Sequence, residues 1–161
     1  MSLVLPASIS STQDVTALGL EVQEYAKWYS QYANAAKRKI AYKEPQPEVT
    51  PVASELIREW GKQSPLSQER LDQLVKELNS KTKSAPTMTI TLAAPATSDV
   101  KKALVAWARK NINPDVLITF RFNSTLLGGM VVRSGSRIFD WSFRRAILNE
   151  RQKFREIISR V

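Results

Sequence analysis

The sequence has no cysteine and no histidine among its 161 residues. Their absence excludes disulfides, thiolate metal sites, cysteine nucleophiles and imidazole acid–base chemistry. What is left to an enzyme is carboxylate catalysis or a carboxylate-only metal site. No pair or cluster of Asp and Glu has the spacing for either. No apolar run reaches the roughly 18 residues that a bilayer span requires. The first residues, MSLVLPASISS, lack the positive n-region and long apolar h-region of a secretory signal. The expectation is a soluble, cytoplasmic, non-catalytic chain with no cofactor. Hydrophobic residues make up 43% of it, enough to build a packed core.

Acidic residues are scarce in one region only. Residues 1–100 carry 11 Lys+Arg and 11 Asp+Glu, whereas residues 101–161 carry 13 and 4. The net charge of +9 therefore belongs to the last third. Such asymmetry calls for an acidic partner: nucleic acid, an anionic membrane surface or an acidic protein.

Residues 12–40 read as a long helix. Ser11 or Thr12 caps it, and Asp14 lies in the first turn, where the helix dipole favours negative charge. Lys37, Arg38 and Lys39 lie at the other end. Val15, Leu18, Val22, Tyr25, Tyr29, Tyr32 and Ala36 recur at spacings of 3 and 4, a heptad seam. The seam either packs within the chain or receives a partner helix, and its tyrosines suit a groove with a polar edge. YKEPQPEVTP, residues 42–51, is an extended linker. Thr50 and Pro51 open a second helix, and Ser67 opens a third with Leu71, Leu74, Val75 and Leu78 inward. Arg70 stands where a capping box wants Glu. NSKTKSAP, residues 79–86, reads as a polar loop and a domain boundary.

The second half changes period. TMTITL, residues 87–92, alternates as a half-buried strand. Ser98 is expected to cap a helix over 99–112 with Val100, Ala103, Leu104, Trp107 and Ala108 buried. Residues 115–122 alternate again, with Val116, Ile118, Phe120 and Phe122 on one face. Two short strands then surround Arg133-Ser134-Gly135-Ser136, and a basic helix runs from 142 to 161. The expected fold is α+β: about three helices over residues 1–80, then a strand–helix–strand–hairpin–helix domain over 86–161.

LLGGMVVRSGSRIFDWSFRR, residues 126–145, decides between chemistry and shape. Gly128-Gly129 leads into a strand rather than a helix, and no Lys-Ser/Thr follows, so it is no phosphate cradle. Asn123-Ser124-Thr125 matches a glycosylation acceptor, without a secretory signal to give it meaning. A glycine beside a strand marks a bulge or the close approach of another backbone. Gly135 supplies positive φ in the turn, and Asp140 or Ser142 caps the final helix. The stretch is a curved hairpin that launches a basic helix. On that helix Phe143, Arg144, Ile147, Arg151, Phe154 and Ile158 either face a partner or, for the apolar ones, cover the sheet.

The same stretch resembles the C-terminal hallmark of the delta subunit of F-type ATP synthases, called the oligomycin-sensitivity-conferring protein in mitochondria. The matching positions are Leu126, Leu127, Gly128, Gly129, Val132, Arg133, Gly135, Asp140, Ser142 and Arg144. The upstream order, MTITLAAPATS, a helix and DVLITFRFNSTLLGG, agrees too, so the resemblance covers roughly residues 86–150. The family's N-terminal bundle has more helices than the three expected here, and YSQYANAA, residues 29–36, is a faint echo of its early motif. The resemblance implies a connector with no active site and no small-molecule substrate, in a complex for ATP synthesis and hydrogen-ion or other ion transport. Its N-terminal domain would bind alpha subunits of the catalytic head. Its C-terminal domain would hold the b-type subunits of the peripheral stalk and so resist rotational torque. It would sit on the cytoplasmic side of a bacterial cell membrane, membrane-associated through the complex. The alternative is a basic nucleic-acid-binding protein, suggested by the charge and by Phe120, Phe122 and Trp141. Against it, the basic residues spread around the last helix and the strand aromatics alternate as core residues do.

Overall fold

Residues 3–150 are described by a computed structural model, in which the chain divides into two compact units, Met1–Ala85 and Pro86–Val161. Its elements follow the expected α+β order, helices first and a four-stranded mixed sheet after.

The first unit holds α1 (Thr12–Lys37), α2 (Pro51–Gln63) and α3 (Gln68–Ser84). Ser11 caps α1 in a full capping box. Its hydroxyl accepts the Asp14 N–H at 3.2 Å, and the Asp14 carboxylate accepts the Ser11 and Ser10 N–H groups at 2.9 and 3.0 Å. Burial pushes the Asp14 pKa up, but these bonds, with those from the Ser10 and Ser11 hydroxyls, outweigh it and hold the group below its ordinary value. Val15, Leu18 and Val22 of α1 and Leu71, Leu74 and Leu78 of α3 are buried where the two helices pack. Each such side chain contributes roughly 1.5–3 kcal/mol relative to leaving it in water.

Arg70, out of place for a capping box, has another use. Its guanidinium stacks 4.9 Å from the Trp60 ring centre. It donates to the Trp60 carbonyl at 3.3 Å, and the Trp60 indole returns a bond to the Arg70 carbonyl at 3.0 Å. That reciprocal clasp ties α2 to α3.

The loop expected at 79–86 is instead helix as far as Ser84. The Thr82 and Ser84 hydroxyls donate to the Leu78 and Ser80 carbonyls at 3.0 and 2.8 Å, one turn back. Polar residues that bond this way are accommodated in a helix. Lys81 is buried and, with Lys83, lies in the last turn where cations suit the dipole.

In the second unit, β1 (Thr87–Leu92) is parallel to β2 (Leu117–Phe122), and α4 (Ser98–Asn111) crosses between them. β3 (Gly129–Ser134) lies antiparallel to β1, and β4 (Arg137–Ser142) antiparallel to β3, in the order β2-β1-β3-β4. Gly135, at φ +57°, makes the first residue of the two-residue hairpin turn. α5 (Phe143–Asn149) follows directly. It ends at Asn149 with Glu150 as its C-cap, short of the unbroken helix expected over 142–161, and the part of that span beyond residue 150 lies outside the described residues.

Two expectations for α4 need correction. Its cap is Thr97, whose hydroxyl accepts the Val100 N–H, so the helix begins at Ser98. Its buried stripe centres on Val105 and Ala108, whereas Val100, Ala103 and Trp107 are exposed. The crossover sets which side of α4 meets the sheet, and a helix with apolar residues on two sides does not announce that from spacing alone.

Candidate functional site

The strand register assembles one apolar sheet face. Met88, Ile90 and Leu92 share it with Ile118, Phe120 and Phe122, with Met130 and Val132, and with Phe139 and Trp141. Burial is deep on β1 and β2 at Met88, Ile90 and Ile118, although Phe122 at the end of β2 is exposed. It fades toward β4. Phe139 and Trp141 stack with ring centres 5.8 Å apart, yet they are 45% and 57% exposed.

The path into β3 is fixed by close approach. Asn123 accepts the Thr125 N–H at 3.0 Å and closes a short 3-10 turn, Ser124–Leu126. Leu126 is buried, and Leu127 takes the left-handed conformation at φ +63°. A Cβ on Gly129, at φ +73°, would collide with the Trp141 carbonyl, and one on Gly128 would collide with the Phe143 ring. The Phe143 N–H donates to the Gly128 carbonyl at 3.1 Å. The glycine pair thus lets the β4–α5 corner seat directly on the entry to β3.

The corner has its own polar lock. Asp140 Oδ1 accepts the Ser142 N–H at 2.9 Å, and the Ser142 hydroxyl, as N-cap of α5, accepts the Arg145 N–H at 3.2 Å. The Ser142 hydrogen bonds, with Arg145 and Arg144 nearby, hold the Asp140 carboxyl below its ordinary pKa. From this corner α5 presents Phe143 and Ile147, 60% and 50% exposed, together with exposed Arg144 and Leu148. Arg151, Phe154 and Ile158 lie outside the described residues.

The heptad seam of α1 divides in two. Val15, Leu18 and Val22 are core of the first unit, so no partner reaches them without opening it. Tyr25 and Tyr29 are half-buried, and Tyr32 is exposed. Tyr25 and Tyr29 stack at 6.4 Å, and Trp28 and Tyr32 at 5.3 Å. The Tyr29 hydroxyl donates to the Leu66 carbonyl at 2.8 Å. Burial, and then the neighbouring Tyr29, raise the Tyr25 pKa.

The linker lies back along this aromatic side. The Trp28 indole donates to the Glu44 carbonyl at 3.3 Å, Tyr42 sits edge-on to Trp28 and Tyr32, and the Glu21 carboxylate accepts the Thr50 N–H and hydroxyl. Sequence reasoning missed Trp28 and Tyr42 in this role. It also missed Ile138 and Phe139 as exposed neighbours of Trp141, although the alternation of Phe139 and Trp141 opposite Val132 and Met130 carried part of the signal.

Among the described residues no group of three Asp or Glu side chains is placed to hold a metal, and no helix is long and apolar enough to cross a membrane. One groove of about 230 Å³ in the first unit is lined by Val4, Pro6, Val52, Leu56 and two glutamates, Glu55 and Glu59.

Residues 71–154 match the family described as the ATP synthase delta (OSCP) subunit. The chain belongs to that family. The match runs from within α3 through the sheet and the glycine corner and past α5. No curated protein matches the chain. Membership in the delta (OSCP) family implies a stalk role in ATP synthase, that of a non-catalytic subunit. It also implies ATP synthesis, ion transport and peripheral association with a membrane through the complex.

Proposed function

We propose that this chain ties the catalytic head of an F-type ATP synthase to its peripheral stalk and resists the torque of rotation. The observation that carries this is the surface of β4 and α5. Apolar side chains that a stable monomer normally hides lie open there beside arginines, on elements locked in place by Gly128, Gly129, Asp140 and Ser142. Rigidity at a cationic, apolar surface suits a mechanical joint to an acidic partner.

In this reading the second unit holds b-type stalk subunits through Phe143, Arg144 and Ile147, with Arg151, Phe154 and Ile158 continuing the contact. The first unit meets alpha subunits of the head through Tyr25, Tyr29 and Tyr32, backed by Val15, Leu18 and Val22. The stalk belongs to an ion-translocating complex, for hydrogen or another ion, on the cytoplasmic side of a bacterial cell membrane. No cofactor or small-molecule substrate enters the work.

The test is mass spectrometry of what a tagged full chain brings out of gently solubilised membranes. Alpha and b-type subunits in defined ratio are the expected result. Recovery of the chain without motor subunits, or with nucleic acid that salt removes steeply, overturns it.

A further inference from the structure

We infer that Leu127 is an anchor of the stalk contact: a left-handed backbone holds its apolar side chain out at the entry to β3, where it fits an apolar seam with acidic borders on a helix of the stalk partner. This rests on the connector reading and names a residue that carries the contact.

Leu127 sits where a side chain is disfavoured. It follows the 3-10 turn Ser124–Leu126 with φ +63° and ψ −11°, and its N–H closes that turn on the Ser124 carbonyl at 3.1 Å. In this conformation the Cβ of an L-residue crowds the following carbonyl, so glycine or asparagine is the usual occupant. The next two positions do carry glycine, and each has a steric need for it. Position 127 carries leucine instead. Its side chain adds little to the fold, for Leu127 is 65% exposed while Leu126 beside it is buried. The strain therefore serves no burial in the free chain. Strained residues of this kind collect where a surface meets a ligand or a partner.

The place fits a partner of one kind. The Phe143 ring lies against Gly128, the next residue, and the Phe143 N–H reaches the Gly128 carbonyl. Leu127 thus stands at the corner where α5 starts. Phe143 and Ile147 lie one turn apart on α5 and are also exposed. Two segments distant in sequence bring three apolar knobs to one end of the sheet. A helix offers holes of that scale between its side chains, and an amphipathic helix offers a row of them. Arg144 and Arg145, exposed at the same corner, favour acidic borders on that helix. Other occupants fit less well. A second copy of the chain brings its own +9. The chain's last eleven residues bring Arg151, Lys153, Arg155 and Arg160 against a single Glu156. Both are repelled by the two arginines.

Strain and contact have opposite signs, and the experiment uses that. Tagged full chains with Leu127→Asn or Leu127→Met compete with the untagged parent for entry into ATP synthase, and each free chain is melted. Leu127→Asn suits the backbone and removes the apolar side chain. It should melt no lower than the parent and up to about 5 °C higher, yet enter the complex at least about tenfold less well. Leu127→Met keeps an apolar side chain and should enter within about threefold of the parent. Lys39→Asn is the control. Lys39 is the other non-glycine residue with positive φ among the described residues, and its replacement should leave entry unchanged. A chain with Leu127→benzoylphenylalanine should crosslink to a b-type subunit in the assembled complex.

A lower melting temperature for Leu127→Asn shows that the leucine serves the fold, and overturns the inference. Equal entry of Leu127→Asn and the parent overturns it too, as does an equal loss with Leu127→Met or with Lys39→Asn. A crosslink to an alpha subunit, to a second copy or back to the chain itself does the same. All of these leave the connector role standing. Exclusion of the parent chain from the complex overturns both.

Discussion

The two units treat similar sequence signals in opposite ways. In the first, the deep half of the α1 seam is consumed internally: Val15, Leu18 and Val22 go under α3, while the linker lies beside Trp28 and leaves Tyr32 exposed. In the second, the apolar residues of β4 and α5 find no cover among the described residues, and Phe139, Trp141, Phe143 and Ile147 stay in contact with water. A periodic stripe therefore says that a surface wants covering. Whether the chain supplies the cover depends on what folds beside it.

Substitutions in the two units should separate stability from assembly. The largest effect on folding is expected from Leu74→Ala. It empties a fully buried site between α1 and α3 and should cost about 2–5 kcal/mol, read by denaturant unfolding of the full chain. Next is Gly129→Val, which meets the Trp141 carbonyl and a left-handed backbone. A loss of about 1–3 kcal/mol is expected in the unfolding of the second unit, with the helical signal of the first unchanged.

Smaller again is Asp14→Asn, which weakens the capping box at a cost of about 1 kcal/mol. The sign of its pH dependence follows from the carboxyl. The folded pKa of Asp14 lies below its ordinary value of 3.8, so its stabilisation is present above that value and disappears as pH falls through the folded pKa. Thermal melts of Asp14→Asn should lack that part of the acid loss. The smallest folding effect is expected from Trp141→Ala, within about 0.5 kcal/mol in the free chain because the ring is largely in water. Its effect should appear in assembly instead.

Most of the fold was legible because its signals are local. Thr50-Pro51 and Ser67 start helices through hydrogen bonds that a short window contains, and the alternation in TMTITL survives as β1. Polar composition misled at residues 79–84, since the bonds that keep Thr82 and Ser84 helical run to carbonyls one turn back. α4 misled because Trp107 and Val105 imply different inward sides, and the sheet chooses. The site was legible only in part. Ser142 as a cap is a local matter. The linker on Trp28 and the β4 edge of the sheet depend on residues distant in sequence, which spacing along one segment does not contain.

The most direct test of the two-ended joint is a crossed recovery experiment on membranes, in which tagged Tyr32→Glu and Phe143→Glu chains are compared for the alpha and b-type subunits they bring with them. Tyr32→Glu should lose the alpha subunits and keep the stalk, and Phe143→Glu should do the reverse. If both chains lose both partners in parallel, or neither loses any, the division of labour between the two units is wrong.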